Sequence, residues 1–228
     1  MTLIQAIDQA RALLNEPLNT ARTFPDNTSS FWTDNIMIGY HNLIQSEIQQ
    51  ELIQADENYF VTQTSITFVA GTGNYTLPTD LVKIRRVEDL RGDQTNPLEI
   101  APVKMSERDK AQRSIVDTNP PLHGGYYLVG NQIHFIETPT NSLASAVRLF
   151  YVQRLTDVSA GSNSSEIPAE YHPILVWGIV KNCLFQQQAD TSMADKEYNS
   201  LMSKMKKQAE SRQIQRPRKV SIRNGRGW

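Results

Sequence analysis

Residues 60–69 read Phe60-Val-Thr-Gln-Thr-Ser-Ile-Thr-Phe-Val69, and Ala70-Gly-Thr-Gly-Asn74 follows them. The first segment is rich in β-branched and aromatic residues with partial alternation, the mark of a strand, and the second supplies a turn. Tyr75-Thr-Leu77 resumes a strand that Pro78 ends, and Leu81 to Leu90 is another, with Val82, Ile84 and Val87 apolar. Leu98-Glu-Ile100 is a further strand, and the capping-box spacing at Ser106-Glu-Arg-Asp109 opens a short helix to about Ser114. After a proline-rich loop, Tyr126 to Val129 and Gln132 to Glu137 predict a hairpin about Gly130-Asn131, and Ala146 to Gln153 closes the sheet region. From Tyr59 to Asp157 the chain reads as almost pure β-structure.

On either side the period changes to that of a helix. Leu3, Ala6, Ile7, Ala10, Leu13 and Leu14 form one apolar face of a helix from Leu3 to about Asn15, with Thr2 and Gln5 spaced as a capping box and Pro17 as its stop. Thr33 or Asp34 caps a longer helix to about Asp56, with Ile36, Tyr40, Leu43, Ile44, Ile48 and Leu52 inward and a Gln- and Glu-rich face outward. Past the Ser- and Gly-rich linker from Leu155, helix resumes near Ala169 and is apolar on nearly every side from Ile174 to Phe185. Such a helix is buried in a bundle or between subunits. Thr191 or Ser192 caps the last helix, whose stripe is Ala194, Tyr198, Leu201, Met202, Met205 and Ala209. Arg216-Pro217 ends helical structure, and the rest has no pattern for a core. The expected architecture is α+β. Residues 1–58 and 168–211 form a helical bundle from both chain ends, 59–167 an inserted antiparallel β domain (sandwich or barrel-like), and 212–228 an extended basic tail.

Charge is unevenly laid out. The net value of −1 combines nine Lys and Arg against Glu210 alone from Lys204 onward, about +8, with about −9 for the rest. A cationic tail binds nucleic acid or the acidic body of a neighbouring copy, and the second surface is always at hand. The candidate docking residues are Lys204, Lys206, Lys207, Arg212, Arg216, Arg218, Lys219, Arg223, Arg226 and Trp228. Val220, Ile222 and Trp228 interleave the cations, which suits a groove or strand addition through Lys219-Val-Ser-Ile-Arg223. On the apolar helix, Trp177, Val180, Leu184 and Phe185 are the candidate subunit-packing residues.

The search for catalytic chemistry yields little. His41, His123, His134 and His172 lack metal-ligand spacing, and no HExxH or CxxC is present, so no metal or other cofactor is expected. Cys183 sits on the most apolar helix, where a cysteine acts as a small hydrophobe, and a single cysteine rules out an intramolecular disulfide. Gly71-Thr-Gly73 lacks the third glycine of a dinucleotide fingerprint and reads as a turn, as does Gly124-Gly125. The carboxylate pairs Glu88-Asp89 and Asp56-Glu57 flank element ends, where solvated acids are common. The first sixteen residues are amphipathic and carry both charge signs, unlike a secretory signal, and no membrane span is expected. The chain is expected not to be an enzyme.

A series of short motifs then takes on weight through its order. Tyr75-Thr-Leu-Pro-x-Asp80 precedes Leu81-Val-x-Ile, followed by Pro120-Pro121, Gly125-Tyr-Tyr-x-x-Gly130-Asn-x-Ile133, Thr138-Pro139-Thr, Leu149-Phe-Tyr151 and Glu166-Ile-Pro168-x-x-Tyr171. Together they span Tyr75 to Phe185 and resemble the head-to-tail adaptor (connector) proteins of tailed bacteriophages, of the tail-tubular or tail-accessory type. The N-terminal loop and the basic tail match no motif of that kind. The resemblance implies a structural protein forming a dodecameric ring beneath the portal protein, extending the DNA channel and giving the tail or nozzle protein its docking surface. It further implies transient non-specific contact with genomic double-stranded DNA, synthesis in the host cytoplasm, and a final place in the virion. C-terminal segments of such proteins reach along the portal or a neighbouring subunit. The competing readings are a nucleic-acid-binding module acting through the basic tail, and an enzyme or glycan binder built on the β region. A steep salt dependence of DNA binding would mark the first, and clustered carboxylates or aromatics in one cleft the second.

Overall fold

The computed structural model describes residues 1–16, 23–26, 31–91, 95–109 and 125–212. The expected helix beyond Asp109, the motif at Pro120-Pro121 and the cationic segment past Arg212 lie outside the described residues. Helices and antiparallel sheets are combined, an α+β composition as expected. The chain divides into two compact units: residues 58–155, and Met1–Glu57 with the chain from Thr156 on.

Unit 58–155 holds seven described strands: β1 Val61–Phe68, β2 Asn74–Thr76, β3 Leu81–Asp89, β4 Leu98–Glu99, β5 Tyr126–Val129, β6 Gln132–Phe135 and β7 Leu143–Gln153. They pair antiparallel into a sheet of order β1-β7-β3-β4 and a second of order β2-β6-β5. The inward residues of both sheets meet in one core that includes Phe68, Val87, Tyr126, Ile133, Phe135 and Leu149. Along β7, Val147, Leu149 and Tyr151 point into the core, and the strand pairs with β1 on one side and β3 on the other. Gly125 joins the sheets at close range. Its φ of +91° suits glycine, and a Cβ there would stand 2.4 Å from Val103 Cγ2 and 2.7 Å from the Ala101 carbonyl oxygen. The space left open lets Val103 N donate to Tyr126 O at 2.7 Å and Tyr126 N to Ala101 O at 3.1 Å.

One expectation for this unit is corrected. Glu88 and Asp89 are not solvated strand-end acids but are 6 % and 3 % exposed. Glu88 pairs with Arg86 at 2.9 Å, and Asp89 with Arg91 at 3.0 Å. A buried carboxylate needs such partners, and arginines close by in sequence or across the strand pair supply them.

The helical unit comprises α1 Leu3–Leu13, α2 Asp34–Ala55, α3 His172–Gln186 and α4 Ser192–Arg212. The capping box of α1 forms, with Gln5 N donating to Thr2 Oγ1 and Thr2 N to Gln5 Oε1. Thr33 caps α2 through Ile36 N. A 3-10 turn at Ala169–Tyr171 leads into α3, which packs against each of the other three helices. Gly178 marks the tightest crossing: a Cβ there would lie 2.7 Å from Ile44 Cγ1. Residues from Thr156 on are tied to these helices, since Gln45 Nε2 donates to Thr156 O at 2.9 Å and Asn42 Nδ2 to Val158 O at 3.0 Å.

Two apolar stripes are phased differently from the pattern expected. On α2, Leu43 is exposed, whereas Met37, His41, Gln45 and Gln49 are buried with Ile44, Ile48 and Leu52. The Gln-rich face is therefore partly internal, because backbone carbonyls of the 156–167 segment need donors there. On α1, Leu13 is exposed and Arg11 is buried. The helix stops before Asn15, whose φ of +56° takes the left-handed conformation that ends helices.

Candidate interaction surfaces

Contacts between the helices set the direction of each. Leu3 N donates to Asn163 O and the Met1 amino group meets His172 Nδ1, so α1 and α3 start together. Tyr40 near the start of α2 donates to Gln186 at the end of α3, while Ile44 faces Gly178, so these two run antiparallel. Lys181 of α3 lies 3.4 Å from Asp195 of α4, and Tyr198 of α4 donates to Glu47 of α2 at 2.8 Å. Lys206 reaches Glu51 at 2.7 Å further along both helices, so α4 runs parallel to α2.

One end of the unit thus gathers the end of α1, the start of α2, the end of α3 and the start of α4. Four large apolar side chains stand out into solvent there: Leu13 45 %, Phe31 71 %, Phe185 75 % and Met193 71 % exposed. Phe31 meets the buried Trp32 edge-on, ring centroids 5.1 Å apart. Of the candidate packing residues on α3, Phe185 belongs to this end and is open. Trp177 and Leu184 are half-buried against the core of their own copy, and Val180 is buried within it. Reading the sequence left Phe31, Met193 and the exposure of Leu13 unremarked. Phe31 next to Trp32 in an otherwise polar loop was the available signal.

The candidate cations start at the opposite end. Lys204 and Lys207 are exposed on α4, Lys206 is held by Glu51, and Arg212 is the last residue of the helix. Arg216, Arg218, Lys219, Arg223, Arg226 and Trp228 lie outside the described residues.

The two units differ sharply in charge. Residues 58–155 carry ten Lys and Arg against nine Asp and Glu, a net +1. Residues 1–57 and 156–212, the helical unit through the end of α4, carry eight against 15, a net −7. The acidity of the body therefore belongs to the helical unit alone. At the apolar end it includes Asp190, which is exposed on the α3–α4 connection and accepts from Ser192 N at 2.9 Å.

Possible chemical sites take on structural roles. A cavity of about 290 Å³ between α2 and α4 is lined by Glu47, Glu51, Tyr198, Asn199, Ser203 and Lys206. Tyr198 and Lys206 already occupy its two acids, and burial, followed by its bond to Glu47, holds the Tyr198 hydroxyl well above the ordinary tyrosine range. Burial pushes the Cys183 thiol up to about 12, leaving no thiolate at neutral pH. Burial also lowers His41 to about 4 and lowers His172, whose Nε2 lies 2.8 Å from the Ile167 carbonyl oxygen. Among the described residues no three His, Cys, Asp or Glu side chains converge as a metal site. No described helix is long and apolar enough to cross a membrane.

Comparison with known families gives this two-unit α+β chain its class: structural phage adaptors. The model described as SU10 adaptor protein matches residues 1–221, and the chain belongs to that family. It is a head-to-tail adaptor family and not an enzyme family, and membership implies portal and tail partners at the head–tail junction of the virion. A search of curated proteins finds no match.

Proposed function

We propose that the chain is one subunit of a ring, dodecameric by the resemblance, that sits beneath the portal of a tailed phage. The ring extends the DNA channel and offers the tail or nozzle protein its docking surface. Its subunits are made in the host cytoplasm and join the virion during assembly. The helices build the ring, the β unit of residues 58–155 is inserted between them, with the 156–167 segment kept by the helices rather than by the expected 59–167 domain, and residues 212–228 dock the subunit through their cations and apolar residues. The single observation that carries this reading is the family match across residues 1–221.

Physical features support it. An end with Phe31, Phe185 and Met193 each more than 70 % exposed is the kind of surface that neighbours cover. A net −7 on the helical unit through Arg212 repels a phosphate backbone in transit, so passing DNA makes only transient, non-specific contact.

Native mass measurement and electron microscopy, with and without portal rings, test the reading. A closed ring seated on the portal is the expected result, and a monomer that ignores portal rings overturns it. Removing residues 212–228 is expected to leave the fold intact and weaken docking; unchanged docking by the shortened chain would refute the tail's part.

A further inference from the structure

We infer that β1 pairs along its free edge with β1 of a second copy, antiparallel and about a two-fold axis at Thr64. The inference goes beyond the ring. A contact between like surfaces closes at two copies, so it defines a pair of the free chain and not the contact that propagates around a ring.

The edge is open and unguarded. β1 bonds to β7 on one side, and among the described residues no strand pairs with its other side. Proteins ordinarily protect such an edge with charge, proline or a bulge. No charged residue occurs from Asn58 to Thr79, in a chain that is 21 % charged, and β1 contains no proline. Its shift of register, between Ile66 and Phe68, falls past the stretch that pairs. The opposite side of the unit is closed instead. Ile100 N donates to Val87 O at 2.8 Å, and Ala101 and Val103 then bond to Tyr126, so one segment covers the edges of β3 and β5.

The main chain supplies the register. Gln153 N donates to Phe60 O at 3.1 Å, which sets the alternation along the β1–β7 pair. Thr62, Thr64 and Ile66 therefore turn their amide and carbonyl groups to β7, and Gln63 and Ser65 turn theirs outward. The side chains of Gln63 and Ser65 are exposed as well. With the axis at Thr64, Gln63 of each copy lies opposite Ser65 of the other, and each such pair exchanges both main-chain hydrogen bonds.

The strand itself chooses the partner. Pairing with a copy of itself sets like residues near one another, and like charges so placed are destabilising; a strand without charge escapes that cost. The other strand edges of this chain do not fit. β2 spans three residues and β4 two, and the outer side of β5 is taken at Tyr126 by Ala101 and Val103. The cations past Arg212 find no counter-charge on β1.

A cysteine on the axis tests the register. The two Thr64 residues form a non-hydrogen-bonded pair with Cα atoms about 4.5 Å apart, a separation that a disulfide spans. Under mild oxidation the Thr64→Cys chain is expected to form a covalent pair. Gln63→Cys and Ser65→Cys chains should do so far more slowly, since neither residue meets its own counterpart, and the native Cys183 is buried. By sedimentation and native mass measurement without portal, the unaltered chain is expected to populate dimers as its concentration rises. Gln63→Pro removes an outward amide from each copy, and Ser65→Lys puts a charge on the edge. Neither disturbs a bond to β7, so the fold is kept, as circular dichroism checks. Each should weaken the pair about tenfold or more. A chain that is monomeric at every concentration, an association that neither variant weakens, or equal cross-linking at all three positions overturns the inference.

Discussion

Arg11 and Asp34 lie 2.9 Å apart with both side chains out of solvent, joining the end of α1 to the first residue of α2. The same guanidinium donates to the Trp32 carbonyl oxygen and to Glu16, whose other oxygen accepts from Trp32 N at 3.0 Å. Asp34 accepts in turn from Asp26 N at 2.7 Å. One buried cation thus gathers the chain between two helices and holds Phe31 and Trp32 in place.

Removing Arg11 leaves uncompensated buried carboxylates. Arg11→Ala, which strands Asp34 and Glu16 together, is expected to cost about 3–5 kcal/mol in denaturant unfolding, and Asp34→Ala, which leaves Arg11 its Glu16 partner, is expected to cost less. The double variant should cost less than the sum of the two, because Asp34 is then no longer stranded by the loss of Arg11. Additive losses would refute a direct coupling.

At Gly178 the argument is steric. A methyl group would stand within 2.9 Å of three atoms of Ile44, a packed side chain with little room to move. Gly178→Ala is therefore expected to lose about 1–3 kcal/mol despite its better helix propensity. Ile44→Val in the Gly178→Ala background should recover part of the loss, as read from urea midpoints.

His41 makes stability depend on acid. Its folded pKa of about 4 lies below the ordinary 6.5, so the unfolded chain binds the proton more readily. The contribution is complete above about pH 6.5 and is lost as pH falls toward 4, by up to about 3 kcal/mol. His172, lowered as well, acts with the same sign. Replacing His41 by Gln should flatten the pH 4–6.5 limb of the stability profile, and an unchanged limb would exonerate this side chain.

Cys183 is fully buried, and its thiol is raised to about 12. A thiol reagent at neutral pH should modify it only through unfolding. The modification rate should then follow denaturant concentration as the unfolding equilibrium does, and prompt stoichiometric labelling of the folded chain would contradict the structure.

Where local chemistry decides an element, the sequence sufficed. β-Branched and aromatic residues with partial alternation marked β1, Gly130-Asn131 marked the β5–β6 turn, and Thr2 with Gln5 marked the start of α1. Those signals act over a few residues, through backbone preference and caps. The phase of the α2 stripe and the burial of Arg11, Glu88 and Asp89 were not legible, because their partners lie elsewhere on the fold or were not evident from spacing.

Composition and order alone determined an α+β chain with an acidic body, a cationic end and an adaptor's series of motifs. Only the tertiary structure decided where the acidity resides and which apolar residues remain uncovered. Phe185 and Val180 are equally apolar on the same helix, yet one is 75 % exposed and the other 3 %. Exposure depends on where neighbouring helices stop, a long-range property that no local pattern contains.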